Sequence, residues 1–141
     1  MNNTLETLKP WILVAGRVLI ALIFVTAGWS KIGGYAGTQA YMESAGVPGA
    51  LLPLVILLEL GGGLAIILGL FTRLAALGLA VFSVVSAVLF HGAADPMQQI
   101  LFAKNLAIAG GFLFLVAHGA GPISLDAKLF KPRVIAQPQG A

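Results

Sequence analysis

One acidic residue stands inside a long apolar stretch of this chain. Glu59 lies near the middle of the run LLPLVILLELGGGLAIILGL, residues 51–70. About 20 mainly apolar residues suffice for a helix to cross a bilayer, so the run predicts a membrane span. A carboxylate at that depth costs roughly 2.5–3.5 kcal/mol on insertion scales. Glu59 is therefore expected to face the protein interior and to pair with a cation, as intramembrane residues at ligand sites and proton pathways do.

The depth of each polar side chain suggests the partner of Glu59. At about 1.5 Å per residue, Lys104 reaches the same level as Glu59, and Arg17 lies nearer the cytoplasmic end. Lys104 is therefore the predicted partner, with Arg17 as the second choice. Positions 17, 24, 28 and 31 share one stripe of the first predicted helix, which indicates an inward cluster. The candidate residues for a ligand site or a buried polar cluster are Arg17, Phe24, Trp29, Lys31, Glu59, His91, Lys104 and Asn105.

The composition excludes several classes of protein. The 141 residues are 59% hydrophobic and 9% charged, with mean hydropathy +0.99, which is typical of an integral membrane protein. The net charge of +3 comes from basic residues that flank apolar runs and not from a basic patch, so nucleic-acid binding is not expected. Cysteine is absent, which excludes disulfides and iron–sulfur clusters. His91 and His118 fall near opposite membrane faces, so neither haem nor a metal site is expected from this chain.

Apolar runs and turn residues predict four spans, at about 11–32, 50–71, 74–91 and 99–117. The loop 33–49 contains a predicted short helix over 38–45. Little more than Thr72 and Arg73 separates the second and third predicted spans, so these two spans are expected to form a tight antiparallel hairpin. We expect an all-α membrane protein, a four-transmembrane-helix up-down-up-down bundle over residues 1–126, followed by a cytoplasmic tail, 127–141. Basic residues gather at one set of span ends, which predicts an inner-membrane protein with both termini in the cytoplasm. These basic residues are Lys9, Arg73, Lys128, Lys131 and Arg133.

Five segments in order resemble the DoxX family of small bacterial inner-membrane proteins. They are GRVLIALIFVTAGWSKI at 16–32, GTQAYMESAGVP at 37–48, the Glu59 run ending in LGLFTR at 68–73, FH at 90–91 and KNLAIAGGFL at 104–113. The resemblance extends over about residues 12–126, including ISLD at 123–126. The positions that match the polar pattern of the family are Arg17, Lys31, Glu59, Arg73, His91, Lys104 and Asn105.

The resemblance implies a four-helix membrane protein with a redox association. The family is similar to DoxD, a membrane subunit of archaeal thiosulfate:quinone oxidoreductase, and some mycobacterial members are linked to a membrane complex that handles oxidative stress. These links concern relatives and do not assign catalysis to particular residues of this chain.

Three functions follow as hypotheses. The first is a redox-associated subunit or accessory protein that holds a quinone or a similar lipophilic molecule in the outer half of the bundle. Trp29 and Phe24 would form its apolar slot, Lys104 and His91 would donate to the carbonyl oxygens, and Glu59 would carry protons. The second is a non-enzymatic scaffold for a partner complex, and the third is a small transporter or proton pathway. The expected partners are membrane lipid, a redox subunit and a second copy of the chain.

Overall fold

The computed structural model describes residues 2–130. Four of its helices are long and apolar enough to cross a membrane: the first span Asn2–Gly33, the second span Gly49–Leu68, the third span Thr72–Phe90 and the fourth span Pro96–His118. Two short helices accompany them, the loop helix Tyr35–Ser44 and the C-terminal helix Leu125–Leu129. The prediction of an all-α membrane protein with four transmembrane helices is confirmed.

The spans pack closely in two successive pairs, the first on the second and the third on the fourth, and the contact between the third and fourth spans is the most extensive. This order agrees with an up-down-up-down bundle, in which short connections place successive helices side by side. The connections define two ends of the bundle. We call the end with residues 34–48 and 91–95 the loop end, and the end with residues 69–71 and 119–124 the hairpin end. Part of the predicted tail, 131–141, lies outside the described residues.

Several span boundaries differ from those predicted. The first span begins at Asn2, and Pro10 lies inside the helix. Residues 2–9 are exposed, so the carbonyl group that Pro10 leaves without a partner remains accessible to water. The second span ends at Leu68 because Gly69 adopts a left-handed conformation with φ of 68°, which stops a right-handed helix. Phe71 follows with φ of 46°, and the chain turns back into the third span within three residues.

The second span is not a uniform α-helix. It begins with a 3₁₀ turn, Gly49–Leu51, continues as α-helix over Leu52–Ile56, and widens into a π turn over Leu57–Gly61 before the α-helix resumes. Glu59 lies at the centre of that π turn. Single π turns inside helices are rare and occur frequently at functional sites, because the extra residue displaces one side chain from the regular helical position.

The core lies at the middle of the bundle, where the spans meet. Phe24 of the first span packs against Phe112 of the fourth, with ring centroids 5.4 Å apart, and against Phe82 of the third at 6.4 Å. The inward stripe predicted for the first span is confirmed, because Arg17, Phe24 and Gly28 are all buried. Gly28 brings the first and second spans close together: a Cβ atom there would lie 2.8 Å from the backbone nitrogen of Leu60.

We expect the substitution Gly28→Ala to lower the free energy of unfolding by about 1–3 kcal/mol, because backbone of the second span would have to move away from the new methyl group. Gly110→Ala is the matched control, since no atom lies within 4 Å of a Cβ atom at that position. Unfolding midpoints in detergent would measure both. Equal midpoints for the two variants would show that the close contact at Gly28 does not contribute to stability.

The hairpin end is held together by two charged side chains. Arg17, which is 2% exposed, donates from its guanidinium to the carbonyl oxygens of Ala120 at 3.1 Å and Ile123 at 2.8 Å. Asp126 accepts from the backbone N–H groups of Phe71 at 2.7 Å and Thr72 at 2.9 Å. Its carboxylate thus caps the N-terminus of the third span, although it belongs to a distant part of the chain.

The contribution of Asp126 to stability should depend on pH. Burial alone would raise the pKa of its carboxyl, but the hydrogen bonds from Thr72 and Phe71 and the charge of Arg17 together lower that pKa below its ordinary value. A group with a lowered folded-state pKa stabilises the fold above its unfolded pKa of about 4, and the effect disappears as the pH falls through the folded value. The unfolding midpoints of the wild type and of Asp126→Asn should therefore differ near pH 7 and converge in acid. A difference that stays constant with pH would contradict this account.

Candidate functional site

Glu59 pairs with Lys31. The ammonium nitrogen of Lys31 lies 2.8 Å from Oε2 and 3.1 Å from Oε1 of the carboxylate, and it donates a hydrogen bond to Oε1. Glu59 is only 4% exposed, whereas the Lys31 side chain keeps 25% of its surface accessible. The prediction that Lys104 is the partner of Glu59 is wrong, and so is the second choice, Arg17, which lies at the hairpin end.

The direction of helical side chains explains how Lys31 reaches Glu59. The Cα–Cβ bonds of an α-helix tilt toward the N-terminus of that helix. The first span runs toward the loop end, so Lys31 leans back into the bundle, and the second span runs the opposite way, so Glu59 leans toward the loop end. Lys31 lies three residues, or about 4.5 Å, beyond Gly28, which contacts Leu60. The two side chains therefore approach each other from opposite directions across the contact between the first and second spans.

Lys104 and Trp29 do not belong to the interior. Lys104 is exposed, and Trp29 is 71% exposed, so both point away from the other spans. Ala109 lies on the buried face of the fourth span. Residues four apart on a helix differ by about 40° in direction and residues five apart by about 140°, so Asn105 points inward with Ala109 while its neighbour Lys104 points outward.

A cavity of about 450 Å³ lies between the spans toward the loop end. The Glu59–Lys31 pair forms part of its wall. Of the candidate residues, the structure brings five to this cavity and leaves Arg17, Trp29 and Lys104 outside it. The five that line it are Phe24, Lys31, Glu59, His91 and Asn105. Most of the remaining wall is aliphatic or aromatic.

Two serines of the third span also line the cavity, and they were missed from the sequence. Ser83 is 2% exposed and donates its hydroxyl hydrogen to the carbonyl oxygen of Leu79 at 2.8 Å. Ser86 lies one turn further toward the loop end. Their spacing of three residues in SVVSA, which places both on one helical face, is the signal that would have indicated them.

The loop helix closes the cavity at the loop end. Tyr41 stacks on Phe90 of the third span, with ring centroids 5.2 Å apart and planes 19° from parallel. Met42 is buried, and both residues line the cavity. Gln39 donates to the carbonyl oxygen of Gly49 at 3.2 Å, which joins the loop helix to the start of the second span. The predicted short helix is therefore part of the cavity wall.

His91 follows the third span and is oriented by a residue of the fourth. Its Nδ1 lies 2.7 Å from Oε1 of Gln98. An amide oxygen only accepts hydrogen bonds, so in this arrangement Nδ1 of His91 is the donor. Among residues 2–130 no group of three His, Asp or Glu side chains comes close enough to hold a metal ion. The arrangement is suited to hydrogen bonding with a bound molecule inside an apolar enclosure.

Comparison with known proteins identifies the family. The DoxX family model matches residues 12–92, more than half of the chain. The Inner membrane protein YqjF of Escherichia coli K12 is 55% identical over 121 residues, which cover 85% of this chain and 92% of that protein. The Inner membrane protein YphA of the same organism is 37% identical over 126 residues, covering 84% and 90%.

A third relative is an uncharacterized protein of Haemophilus influenzae, 33% identical over 135 residues, which cover 93% of this chain and 99% of that protein. No solved structure gives a significant match. The family model and the two Escherichia coli relatives agree with the four apolar spans. The chain is therefore a multi-pass inner-membrane protein that belongs to the DoxX family.

Proposed function

We propose that this protein binds the head group of a lipophilic molecule of the quinone class in the loop-end cavity, and that it serves a membrane redox complex as an accessory subunit. One observation carries the proposal: a buried carboxylate, displaced by a π turn and paired with Lys31, borders about 450 Å³ of open space. Ionisable groups inside a membrane are functional candidates, and binding pockets commonly measure about 300–1,000 Å³.

The composition of the wall supports a flat, apolar ligand. Phe24, Phe82 and Tyr41 present aromatic surface, while the polar atoms come from a few separate positions. A pocket of that kind binds an apolar body and orients it through a small number of hydrogen bonds. The basic residues at the hairpin end predict that this end is cytoplasmic, so the cavity would lie on the periplasmic side with both termini in the cytoplasm.

A scaffold function is the second candidate, and the fourth span supports it. This span is the least buried of the four, and it exposes Lys104, Phe114 and Ile100. An ammonium group on the surface of a membrane span is costly unless it reaches the interface or an acidic partner. A neighbouring subunit with a carboxylate at that depth would match it.

A thermal-shift experiment in lipid nanodiscs tests the proposed ligand. A short-chain benzoquinone should raise the melting temperature, because a ligand that binds only the folded state stabilises it by about 2.7 kcal/mol at a hundredfold excess over Kd. Asn105→Leu removes a hydrogen-bonding amide from the cavity wall, so it should abolish the shift. Lys104→Met is the matched control at the adjacent position, and it should retain the full shift because Lys104 lies outside the cavity.

Two results would contradict the proposal. The first is the absence of a shift at saturating probe, with either the quinone or its reduced form. The second is an equal loss of the shift in Asn105→Leu and Lys104→Met, which would indicate binding at the lipid-facing surface. Stabilisation by a co-purified membrane subunit in place of the probe would support the scaffold function.

A further inference from the structure

The wall of the loop-end cavity separates polar from apolar side chains. Its charged, amide, imidazole and hydroxyl-bearing aliphatic side chains are buried or partly buried. A side chain that lines a cavity and is also exposed lies at the rim, where the cavity opens. Five residues of the wall meet both conditions, and all of them present aliphatic or aromatic surface: Ile23, Tyr41, Leu51, Val85 and Leu89.

Two of these rim residues lie on the face of the third span that is turned toward the second. Gly78 marks that face, because a Cβ atom there would lie 3.3 Å from Cδ1 of Leu58. Val85 and Leu89 follow Gly78 by seven and eleven residues, which is about two and three helical turns. Both side chains therefore border the seam between the second and third spans.

The second span borders the same seam from the other side. Leu51 lies seven residues, or about two turns, before Leu58, and both Leu51 and Val55 line the cavity. The third span contacts the second mainly along Gly62–Leu68, in the half of the bundle nearer the hairpin end. Toward the loop end the cavity lies between the two spans. We call the opening bordered by Leu51, Val55, Val85 and Leu89 the lateral gap.

The lateral gap lies at membrane depth. The second and third spans have 20 and 19 residues, which at about 1.5 Å per residue match a hydrocarbon layer about 30 Å thick. Val85 lies five residues, or about 7.5 Å, before the end of its span at Phe90. The gap therefore faces lipid chains. Its aliphatic border suits an apolar chain and offers a water-soluble ligand no hydrogen bond.

The seam between the first and fourth spans is the alternative opening. Ile23 is exposed on the side of the first span, but Asn105 and Ile108 on the opposite side are only partly buried, and one of them is polar. Deeper in the bundle this seam is closed by Phe24 and Phe112. Three exposed aliphatic side chains border the lateral gap, so the gap is the more open and the more apolar of the two seams.

We propose that the cavity opens to the bilayer through the lateral gap, and that the apolar tail of the bound quinone leaves the protein there. This inference rests on the proposed function and adds a second subsite to it. The head group lies among the polar side chains of the wall, near Lys31 and Glu59, and the tail extends past Val85 and Leu51 into the lipid. The ligand enters and leaves sideways within the membrane.

Two matched probes test the tail subsite: a benzoquinone with a decyl chain, and the same benzoquinone with a methyl group in place of the chain. Each is titrated into the full-length protein in nanodiscs. Val85→Trp places an indole in the lateral gap, so it should weaken binding of the decyl probe at least tenfold and binding of the methyl probe less than twofold. Comparing each variant with the wild type cancels the difference in partition between the probes.

Val88→Trp is the matched control, because Val88 is an exposed residue of the same span and does not line the cavity. It should leave both affinities unchanged. Leu51→Trp and Leu54→Trp repeat the comparison on the second span, since Leu51 lines the cavity and the exposed Leu54 does not.

The wild type supplies a measurement that needs no substitution. A decyl benzoquinone with a diazirine in its chain should form adducts at the residues of the lateral gap on illumination, and an excess of the unlabelled probe should suppress them. Adducts that the unlabelled probe does not suppress would show that bulk phospholipid fills the gap, and the inference would be overturned.

The outcomes distinguish the two proposals. If neither probe binds the wild type, the proposed function itself fails. If the methyl probe binds and the decyl probe does not, the cavity excludes a tail and only the lateral gap is refuted. The same holds if folded Val85→Trp and Leu51→Trp variants bind the decyl probe normally or lose both probes equally.

Discussion

The substitution Lys31→Met should lower the free energy of unfolding by about 3–5 kcal/mol, because it leaves the Glu59 carboxylate buried without a cation. Glu59→Gln should cost less. Lys31 keeps a quarter of its side-chain surface exposed and can hydrate its ammonium group, whereas Glu59 is almost fully enclosed. Lys31→Met should therefore destabilise the protein more than Glu59→Gln, because Glu59 is the more buried of the two residues. Equilibrium unfolding in detergent measures both variants.

The double variant Lys31→Met with Glu59→Gln should recover much of the loss, because no buried charge remains. Lys104→Met is the control for removing a lysine from a span, and it should not lower the free energy of unfolding, because Lys104 points away from the other spans. Additive losses in the double variant would show that Lys31 and Glu59 do not stabilise one another. A large coupling free energy between Glu59 and Lys104 would instead support the ion pair that the sequence suggested.

Arg17→Met should destabilise the hairpin end by about 2–4 kcal/mol. Each hydrogen bond from a charged donor contributes roughly 1.5–3 kcal/mol, and Arg17 makes two, of which the one to Ile123 is only partly buried. Arg17→Lys should give an intermediate loss, because an ammonium group lacks the fork that reaches both carbonyl oxygens. Unfolding midpoints measure the global effect, and limited proteolysis of the connection 119–124 measures the local one.

Arg73→Gln serves as the control at the same end of the bundle, since Arg73 is exposed and does not donate to those carbonyl oxygens. Its midpoint and its proteolysis rate should match the wild type. A proteolysis rate of Arg17→Met equal to that of Arg73→Gln would mean that Arg17 does not hold the connection. The assignment of Arg17 to the hairpin end, and not to the cavity, would then lose its support.

Much of the architecture was predictable because the bilayer imposes strong constraints. A hydrocarbon layer about 30 Å thick requires apolar runs of about 20 residues whose backbone groups bond to one another within a helix. Those runs are plain in the sequence, as is the charged residue that interrupts one of them. The inward stripe of the first span was also predictable, because Arg17 and Gly28 distinguish that face from its apolar surroundings.

The partner of Glu59 was not predictable, and the reason is physical. A soluble helix shows which way it faces through its polar side, but the fourth span is apolar almost all round, so its composition does not specify its rotation about its own axis. Packing of Ala109 and Phe112 against neighbouring spans decides that rotation, and it directs Asn105 inward and Lys104 outward. The sequence suggested Lys104 as the inward residue, whereas in the structure its neighbour Asn105 lines the cavity.

The sequence by itself determined that this is a four-span membrane protein with ionisable groups at membrane depth, because those properties follow from residue type and from spacing along single helices. The tertiary structure decided which of these groups meet. The ion pair of Lys31 with Glu59 and the capping of the third span by Asp126 both join distant segments of the chain. Such contacts are set by the packing of every span at once, which no single stretch of the chain encodes.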